Sequence, residues 1–274
     1  MKGNQPYQDL YIYLFKGVLK KRHEVYLGHA FLGNWVEDDS SFLFFTNPAD
    51  EILGDFLKSC PEFELMENYH FTYEQWQGGR LDRIEVENFV IFPPWGEPDG
   101  GEGSNRIILD PGVVFGNGLH PTTRDCLRAL TYASRKRTFG QVLDFGTGTG
   151  VLAVAAVLLG AEEVLAIDLN PLCVKTTERN VELNGMKEKI KVVQAPAQRF
   201  FNEVADLVIA NIHHEVIKDL LLKRKFRHKE RLILSGLMRS QAREVRVQMD
   251  RFHLDIIREW DHDMTWFTVL AETV

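Results

Sequence analysis

The sequence has little cysteine, no long apolar run and no excess of basic side chains. Its three cysteines, Cys60, Cys126 and Cys173, are widely separated, which excludes a disulfide scaffold and a cysteine-based zinc site and is typical of a reducing cytoplasm. The longest apolar run, residues 151–159, is far shorter than the roughly 20 residues of a membrane span. No charged-then-apolar signal pattern opens the sequence. We therefore expect a cytoplasmic protein that does not associate with membranes.

The charge of the chain is negative and unevenly distributed. The net charge of the 274 residues is −7, which argues against a nucleic-acid backbone as the main partner, because phosphate binding requires a basic face. Residues 1–105 contain 8 Lys and Arg against 18 Asp and Glu, whereas residues 106–274 contain 24 against 21. The acidic first third is either a solvated surface or a docking surface for a basic protein.

Proline and glycine divide the sequence at residues 93–105, where they are too dense for a helix or a central strand. Before this point, hydrophobic alternation predicts strands at residues 10–15, 24–31, 41–46, 62–66 and 84–92. An amphipathic helix is predicted over residues 50–59. We interpret residues 1–68 as a small α+β domain and residues 69–105 as a connecting segment and linker.

Strands and helices alternate after residue 105. The predicted helices cover residues 121–134, 149–159, 171–184, 215–223 and 240–250. The predicted strands cover residues 142–145, 164–169, 190–195, 206–212, 232–235, 254–260 and 265–271. This alternation predicts an α/β domain over residues 106–274 with a doubly wound, mostly parallel sheet. The last two strands are joined by four residues and must form an antiparallel hairpin, an outline that resembles class I methyltransferases.

The strongest local motif is the run Asp-Phe-Gly-Thr-Gly-Thr-Gly at residues 144–150, between a predicted strand and a predicted helix. Glycines allow a tight turn and a close approach to a ligand. A dinucleotide site favours the spacing G-x-G-x-x-G, whereas G-x-G-x-G after an acid resembles the S-adenosylmethionine loop. The alternatives are a dinucleotide site and a turn without a ligand. We expect this cofactor to contact Asp144, Gly146, Thr147, Gly148 and Gly150.

Three further side chains stand at positions from which they can reach the same ligand. Asp168 follows the second predicted strand of the sheet, where a carboxylate can accept hydrogen bonds from ribose hydroxyls. The alternative is that it caps the next helix, although Asn170 suits that role better. Thr122 and Thr123 lie in the first turn of a helix, where hydroxyls and free N–H groups can contact a ligand. Here the alternative is a plain helix cap.

Asn211 ends another predicted strand and is followed by Ile212, His213 and His214. An Asn amide at this position can contact the methyl donor or orient an amine acceptor. Nucleic-acid amino-methyltransferases typically place Pro-Pro-aromatic after such a residue to stack a flipped base, and that ring is lacking here. The two histidines are either general bases or ordinary surface and capping residues. Adjacent side chains on a helix cannot face one metal ion, so we expect no metal site.

Four segments together resemble the PrmA family, the methyltransferases of ribosomal protein L11. They are LDPGVVFGNGLHPTT from residue 109, VLDFGTGTGVLAVAA from residue 142, DLVIANI from residue 206 and LSG from residue 234. The resemblance covers residues 62–274. It implies S-adenosylmethionine as the cofactor and a small amino-terminal domain that recognises a basic ribosomal protein. It also implies N-methylation of lysine side chains and an α-amine. The residues that match the family's cofactor ligands are Thr123, Gly146, Asp168 and Asn211.

The sequence departs from the family pattern on the acceptor side. Asn117 and Leu119 replace threonines of the family loop, and His213 and His214 replace a small apolar run. We expect Asn211 and the carbonyl of Ile212 to be the catalytic pair that orients the amine. Two alternatives remain open at this point: a methyltransferase of the same fold that acts on another protein or a small amine, and a cofactor-binding protein without catalysis.

Overall fold

A computed structural model describes residues 5, 7–96, 105–135 and 137–274, and internal contacts divide the chain into two units. The first unit, unit 1, consists of residues 1–81 with residues 170–172, and the second, unit 2, of residues 82–169 and 173–274. Contacts therefore divide the chain between Leu81 and Asp82. Of the predicted linker, residues 97–104 lie outside the described part.

Unit 1 is an antiparallel sheet with one long helix. Its sheet has the order β2-β3-β1-β4, and every neighbouring pair is antiparallel. Leu53 and Phe56 lie on the apolar face of α1 and are buried among Phe15, Leu43 and Phe45. Unit 1 therefore combines an antiparallel sheet with helices. Its elements are β1 (Asp9–Lys16), β2 (Phe31–Glu37), β3 (Ser40–Phe45), α1 (Asp50–Ser59), β4 (Glu64–Thr72) and α2 (Tyr73–Gln77).

The strand predicted at residues 24–31 is wrong. A short 3-10 helix occupies Lys21–Tyr26, and β2 begins only at Phe31. His23 and Leu27 are buried, whereas Val25 is 77% exposed. The buried residues are thus four apart, as in a helical turn, rather than two apart as in a strand. The rest of β2 was not predicted, because Gly33 and Asn34 near its centre are poor strand formers.

The strand predicted at residues 84–92 is in fact a hairpin. Ile84–Val86 (β5) and Phe89–Phe92 (β6) pair in antiparallel fashion around a two-residue turn in which Glu87 has a positive φ of 54°. Asn105–Ile108 (β7) pairs parallel to β6 and completes a three-stranded sheet. The turn at Glu87 and Asn88 was not recognised, because apolar side chains stand on both sides of it and no Gly, Pro or Asn-Gly signal marks it.

The main sheet of unit 2 has seven strands in the order β10-β9-β8-β11-β12-β14-β13. The first five strands of this order are parallel to one another, and β14 is antiparallel to both β12 and β13. This confirms the α/β doubly wound sheet with an antiparallel terminal hairpin. The strands are β8 (Gln141–Phe145), β9 (Glu163–Asp168), β10 (Ile190–Gln194), β11 (Leu207–Asn211), β12 (Arg231–Met238), β13 (Leu254–His262) and β14 (Trp266–Thr273).

Helices connect the parallel strands at the positions that the sequence predicts. Pro121 and Pro171 each stand at the first position of a helix, where a missing N–H costs nothing. The side chains of α4 are buried along almost its whole length. Helices that connect parallel strands cover the faces of the sheet. Within the described residues, no helix has the length and apolarity to cross a bilayer. The helices are α3 (Pro121–Ser134), α4 (Val151–Leu158), α5 (Pro171–Leu183), α6 (His214–Lys223) and α7 (Arg239–Arg251).

Candidate functional site

The predicted ligand-binding residues of unit 2 meet at the carboxyl edge of its main sheet. Phe145, the last residue of β8, lies opposite Ile167 of β9 and Ala210 of β11. The residues that follow these three positions are Gly146, Asp168 and Asn211. Ligands of doubly wound folds bind at this edge. Three motifs far apart in sequence are therefore neighbours in space, as the strand pattern predicts.

The glycine loop between β8 and α4 has no room for side chains at two of its positions. Gly146 has φ +71°, and a Cβ there would lie 2.7 Å from Cδ1 of Ile212. Gly148 has φ +57°, and its Cβ would lie 2.5 Å from the carbonyl oxygen of Phe115. Left-handed backbone and close approach both require glycine. The loop is thus enclosed by Ile212 on one side and by the segment around Phe115 on another.

The side chain of Asp168 is hydrogen bonded to the glycine loop, and the next helix has a capping residue of its own. The backbone N–H of Gly148 donates a hydrogen bond of 3.0 Å to Oδ2 of Asp168. The cap is supplied by Asn170, whose Oδ1 accepts from the N–H of Leu172 at 2.9 Å. The N–H groups of Gly146 and Thr147 also donate to the carbonyl of Ile167, immediately before Asp168. The acid and the loop therefore form one structural unit.

Asp144 lies beneath the glycine loop. Its Oδ2 accepts a hydrogen bond of 2.6 Å from Oγ1 of Thr147, and its side chain is buried. The pKa of Asp144 is raised to about 7, mainly by burial; the hydrogen bond from Thr147 opposes this shift, and the negative charge of Asp168 adds to it. Asp144 and Thr147 therefore bind each other inside the loop, an arrangement that fixes its shape.

The first turn of α3 contains a buried hydroxyl without a partner. Oγ1 of Thr122 lies 2.8 Å from Nδ1 of His120, whose ring caps the helix. Oγ1 of Thr123 is buried and has no hydrogen-bond partner within the described part of the chain. A buried polar atom without a partner is costly. A ligand with a polar group would satisfy Thr123, so this residue fits the cofactor role that the sequence assigns to it.

Asn211 and Ile212 direct two oxygens towards the same point. Gly236, which follows β12 residue Ser235 opposite Asn211, has φ +79°. If Gly236 carried a Cβ, that atom would lie 3.2 Å from Oδ1 of Asn211 and 3.4 Å from the carbonyl oxygen of Ile212. Two hydrogen-bond acceptors that converge beside a bare glycine are suited to hold an amine.

The two histidines that follow Ile212 have different surroundings. His213 is exposed at the amino terminus of α6, where its side chain makes no capping hydrogen bond. His214 is mostly buried against α7, with Nε2 at 3.5 Å from Oε2 of Glu244. This position favours a packing role for His214. Within the described residues, no three His, Cys, Asp or Glu side chains come together as a metal-binding group.

The sequence did not predict a group of polar residues that support the glycine loop through hydrogen bonds from α5. Thr177 and Asn180 of α5 are fully buried and hydrogen bond to the glycine loop. Asn180 also bonds to Asp110, which precedes α3. The only sign of their shared role in the sequence is that Thr177 and Asn180 stand three residues apart and so lie on one face of α5. That spacing alone does not indicate burial, because polar residues on a helix usually face solvent.

This fold and site define a class I S-adenosylmethionine-dependent methyltransferase. The antiparallel strand β14 inserted beside β12 and the acid-glycine loop of β8 distinguish it from dinucleotide-binding folds of similar topology. As in the rest of this class, the cofactor is S-adenosylmethionine. The model of one family within the class, "Ribosomal protein L11 methyltransferase (PrmA)", matches residues 74–273. The chain belongs to this family.

Relatives of known name agree with this assignment. Ribosomal protein L11 methyltransferases of Vibrio parahaemolyticus and Aquifex aeolicus are 35% and 39% identical, over 82% and 76% of this chain and 78% and 79% of their own lengths. The enzyme of Carboxydothermus hydrogenoformans is 43% identical over 51% of this chain, and the match spans 45% of that protein. The crystal structure of ribosomal protein L11 methylase from Lactobacillus delbrueckii subsp. bulgaricus has a TM-score of 0.63 at 28% identity. It covers 70% of this chain and 100% of that one.

Proposed function

We propose that this chain transfers methyl groups from S-adenosylmethionine to ribosomal protein L11. The observation that carries the proposal is the family match over residues 74–273, which includes the whole main sheet of unit 2. The relatives from Vibrio and Aquifex are named for the same activity. A ribosomal protein substrate would place the protein in the cytoplasm.

The cofactor would be held at the carboxyl edge of the main sheet. Asp168 would accept hydrogen bonds from the ribose hydroxyls, and the backbone of the glycine loop, Gly146 to Gly150, would follow the cofactor closely. The unpaired buried hydroxyl of Thr123 supports a polar ligand in the first turn of α3. Thr122 and Asn211 would complete the contacts. Asp144 and Thr147 would support the loop through their mutual hydrogen bond.

The acceptor would be an uncharged amine, and lysine side chains together with the α-amino group are the amines that we propose. When bound, S-adenosylmethionine supplies an electrophilic methyl group. Oδ1 of Asn211 and the carbonyl oxygen of Ile212 would accept hydrogen bonds from the amine and orient its lone pair, which contributes through proximity and alignment. A partly desolvated pocket lowers the pKa of lysine, so water can remove the proton without a dedicated base.

The acidic first third of the chain would attract a basic substrate. On the described edge strand β4, Glu64 and Glu67 are exposed, together with the apolar side chains of Met66 and Tyr69. If this attraction contributes to docking, the KM for ribosomal protein L11 will rise with ionic strength, because salt screens exposed charges. An unchanged KM between low and high salt would exclude the electrostatic contribution without affecting the proposed reaction.

The direct experiment is to incubate the purified protein with methyl-labelled S-adenosylmethionine and recombinant ribosomal protein L11. We expect label in that protein, on lysine side chains or the α-amine after peptide mapping. Label on other residue types would refute the amine specificity. Absence of transfer, in a preparation that binds the cofactor, would refute the proposed substrate.

A second candidate is a methyltransferase of the same fold with a different protein or a small amine as its acceptor. The observation that favours it is the pair His213 and His214 directly after the proposed amine-orienting residues. The same assay distinguishes the two when a cell lysate replaces the ribosomal protein. Transfer to lysate components but not to ribosomal protein L11 would support this second candidate.

A further inference from the structure

The buried face of α5 carries polar side chains that point towards two loops of the site. Thr177, Asn180 and Asn184 stand three and four residues apart, so they share one side of the helix. Thr177 and Asn180 are completely buried. Polar groups in such a position must have internal partners, and the partners here belong to the glycine loop and to the segment before α3.

Asn180 uses its whole amide to join these two loops. Its Oδ1 accepts from the N–H of Asp110 at 2.8 Å. Its Nδ2 donates to the carbonyl of Asp110 at 2.9 Å and to the carbonyl of Thr149 at 2.8 Å. Asp110 begins the segment that leads to Thr123, and Thr149 lies in the glycine loop. One side chain therefore fixes the spacing between two proposed cofactor-binding segments.

The same two loops are joined at two further points. Oγ1 of Thr149 donates to the carbonyl of Gly116 at 2.7 Å, and the N–H of Thr149 donates to the carbonyl of Phe115 at 3.2 Å. Thr177 supports the glycine loop from α5, because its Oγ1 donates to the carbonyl of Gly148 at 2.9 Å. The N–H of that same Gly148 bonds to Asp168. The hydrogen bonds thus run from α5 to the ribose-binding acid.

We propose that Asn180 and Thr177 are positioning residues that hold the glycine loop and the 110–118 segment in the arrangement that binds S-adenosylmethionine. The proposal deepens the proposed function, on which it rests. Both residues act through the backbone of other residues, so they set the affinity for the cofactor without touching the acceptor amine. The step that orients the amine, at Asn211, is separate from them.

Asn184 provides a matched control for Asn180. It also makes three hydrogen bonds, accepting from the N–H of Ile108 at 2.9 Å and donating at 2.7 Å each to the carbonyls of Ile108 and Asn180. These partners lie in β7 and in α5 itself, and none belongs to the glycine loop. Asn184→Ala therefore removes the same number of hydrogen bonds from the same helix face without releasing the loop.

The test compares Asn180→Ala, Thr177→Val and Asn184→Ala by calorimetric titration with S-adenosylhomocysteine and by steady-state kinetics. We expect both asparagine variants to melt at lower temperature, because each loses three hydrogen bonds. The Kd of Asn180→Ala should rise about tenfold and that of Thr177→Val about threefold, while Asn184→Ala stays within twofold of the wild type. The KM for S-adenosylmethionine should rise in parallel, and kcat at saturating cofactor should change little.

Two results with the asparagine variants would overturn the inference, and Thr177→Val supplies a third test. The first is an equal Kd for Asn180→Ala and Asn184→Ala, which would mean a purely structural role. The second is a fall in kcat without a change in cofactor KM. Thr177→Val keeps the shape of the side chain and therefore provides the test if Asn180→Ala does not fold. An unchanged Kd in Thr177→Val would then contradict the proposal. Failure of the wild-type protein to bind S-adenosylhomocysteine would instead contradict the proposed function.

Discussion

The N–H of Gly148 donates a hydrogen bond of 3.0 Å to Oδ2 of Asp168. The two residues are 20 positions apart in sequence: Asp168 ends β9, and Gly148 lies in the loop that follows the neighbouring parallel strand β8. The bond means that the proposed ribose-binding acid also fixes the glycine loop. Binding of the cofactor and order of the loop are therefore expected to depend on the same carboxylate.

Asp168→Asn should weaken cofactor binding strongly. The amide keeps one oxygen but loses the charge that strengthens hydrogen bonds from N–H and hydroxyl groups. We expect the Kd for S-adenosylhomocysteine to rise by about 30-fold, the equivalent of about 2 kcal/mol, as measured by calorimetric titration. Asp250→Asn, an exposed position on α7, is the matched control and should leave the Kd unchanged. A wild-type Kd in Asp168→Asn would remove this residue from the cofactor site.

Asn211→Ala should reduce turnover more than cofactor affinity. The variant removes one of the two oxygens that converge beside Gly236 and leaves the carbonyl of Ile212 in place. We expect kcat to fall by about 100-fold, with a Kd for S-adenosylhomocysteine within a few-fold of the wild type. The two quantities are measured on the same preparation, so the Kd serves as the control for folding. An unchanged kcat would contradict the amine-orienting role.

Gly148→Ala should destabilise the protein and its cofactor site together. The new Cβ would lie 2.5 Å from the carbonyl oxygen of Phe115, at a φ of +57°. We expect a loss of at least about 2 kcal/mol in the free energy of unfolding, measured by urea denaturation. Gly54→Ala is the contrasting control, because it lies within helix α1 with no atom within 4 Å of its Cβ. This substitution should stabilise the protein by about 0.5–1 kcal/mol. Equal effects of the two substitutions would contradict the described loop geometry.

Much of the sheet of unit 2 follows from sequence, because its buried strands are short apolar runs between helices that start at Pro121 and Pro171. The strand ends then place Gly146, Asp168 and Asn211 together without any three-dimensional information. The hairpin of β13 and β14 is predicted by its short polar turn. These features depend on local patterns, which a sequence displays directly.

The parts that could not be predicted depend on contacts distant in sequence. The 3-10 helix at Lys21–Tyr26 overlaps the strand predicted at residues 24–31, and the burial of His23 and Leu27 distinguishes the helical turn from a strand. Asn180 gives no sign of burial, because its partners Asp110 and Thr149 are 70 and 31 residues away. Polar residues are assigned to solvent by pattern alone, and tertiary structure overrides that assignment.

The buried acid Asp144 should make stability depend on pH. Its pKa is raised from the ordinary value of 3.8 to about 7 in the folded protein, mainly by burial. The folded state therefore binds the proton more tightly than the unfolded state does. Tighter binding of this proton stabilises the folded state. The contribution to the free energy of unfolding is complete below pH about 4, and up to about 4 kcal/mol is lost as the pH rises to about 7.

Asp144→Asn tests this dependence, because the amide has nearly the same shape and can still accept from Thr147. Urea denaturation of both proteins at about pH 4, 5, 6 and 7, which covers the range between the two pKa values, gives the comparison. We expect the wild-type protein to lose stability relative to Asp144→Asn as the pH rises across this range. A constant difference between the two proteins would mean that Asp144 titrates near its ordinary pKa.

The intact mass of ribosomal protein L11 from cells with and without the gene shows whether this chain methylates that protein. We expect ribosomal protein L11 from cells lacking the gene to be lighter by a whole number of methyl groups. Re-expression of the wild-type gene should restore the mass, and re-expression of Asn211→Ala should restore it poorly. An identical mass of ribosomal protein L11 in both cell lines would mean that this chain does not methylate it.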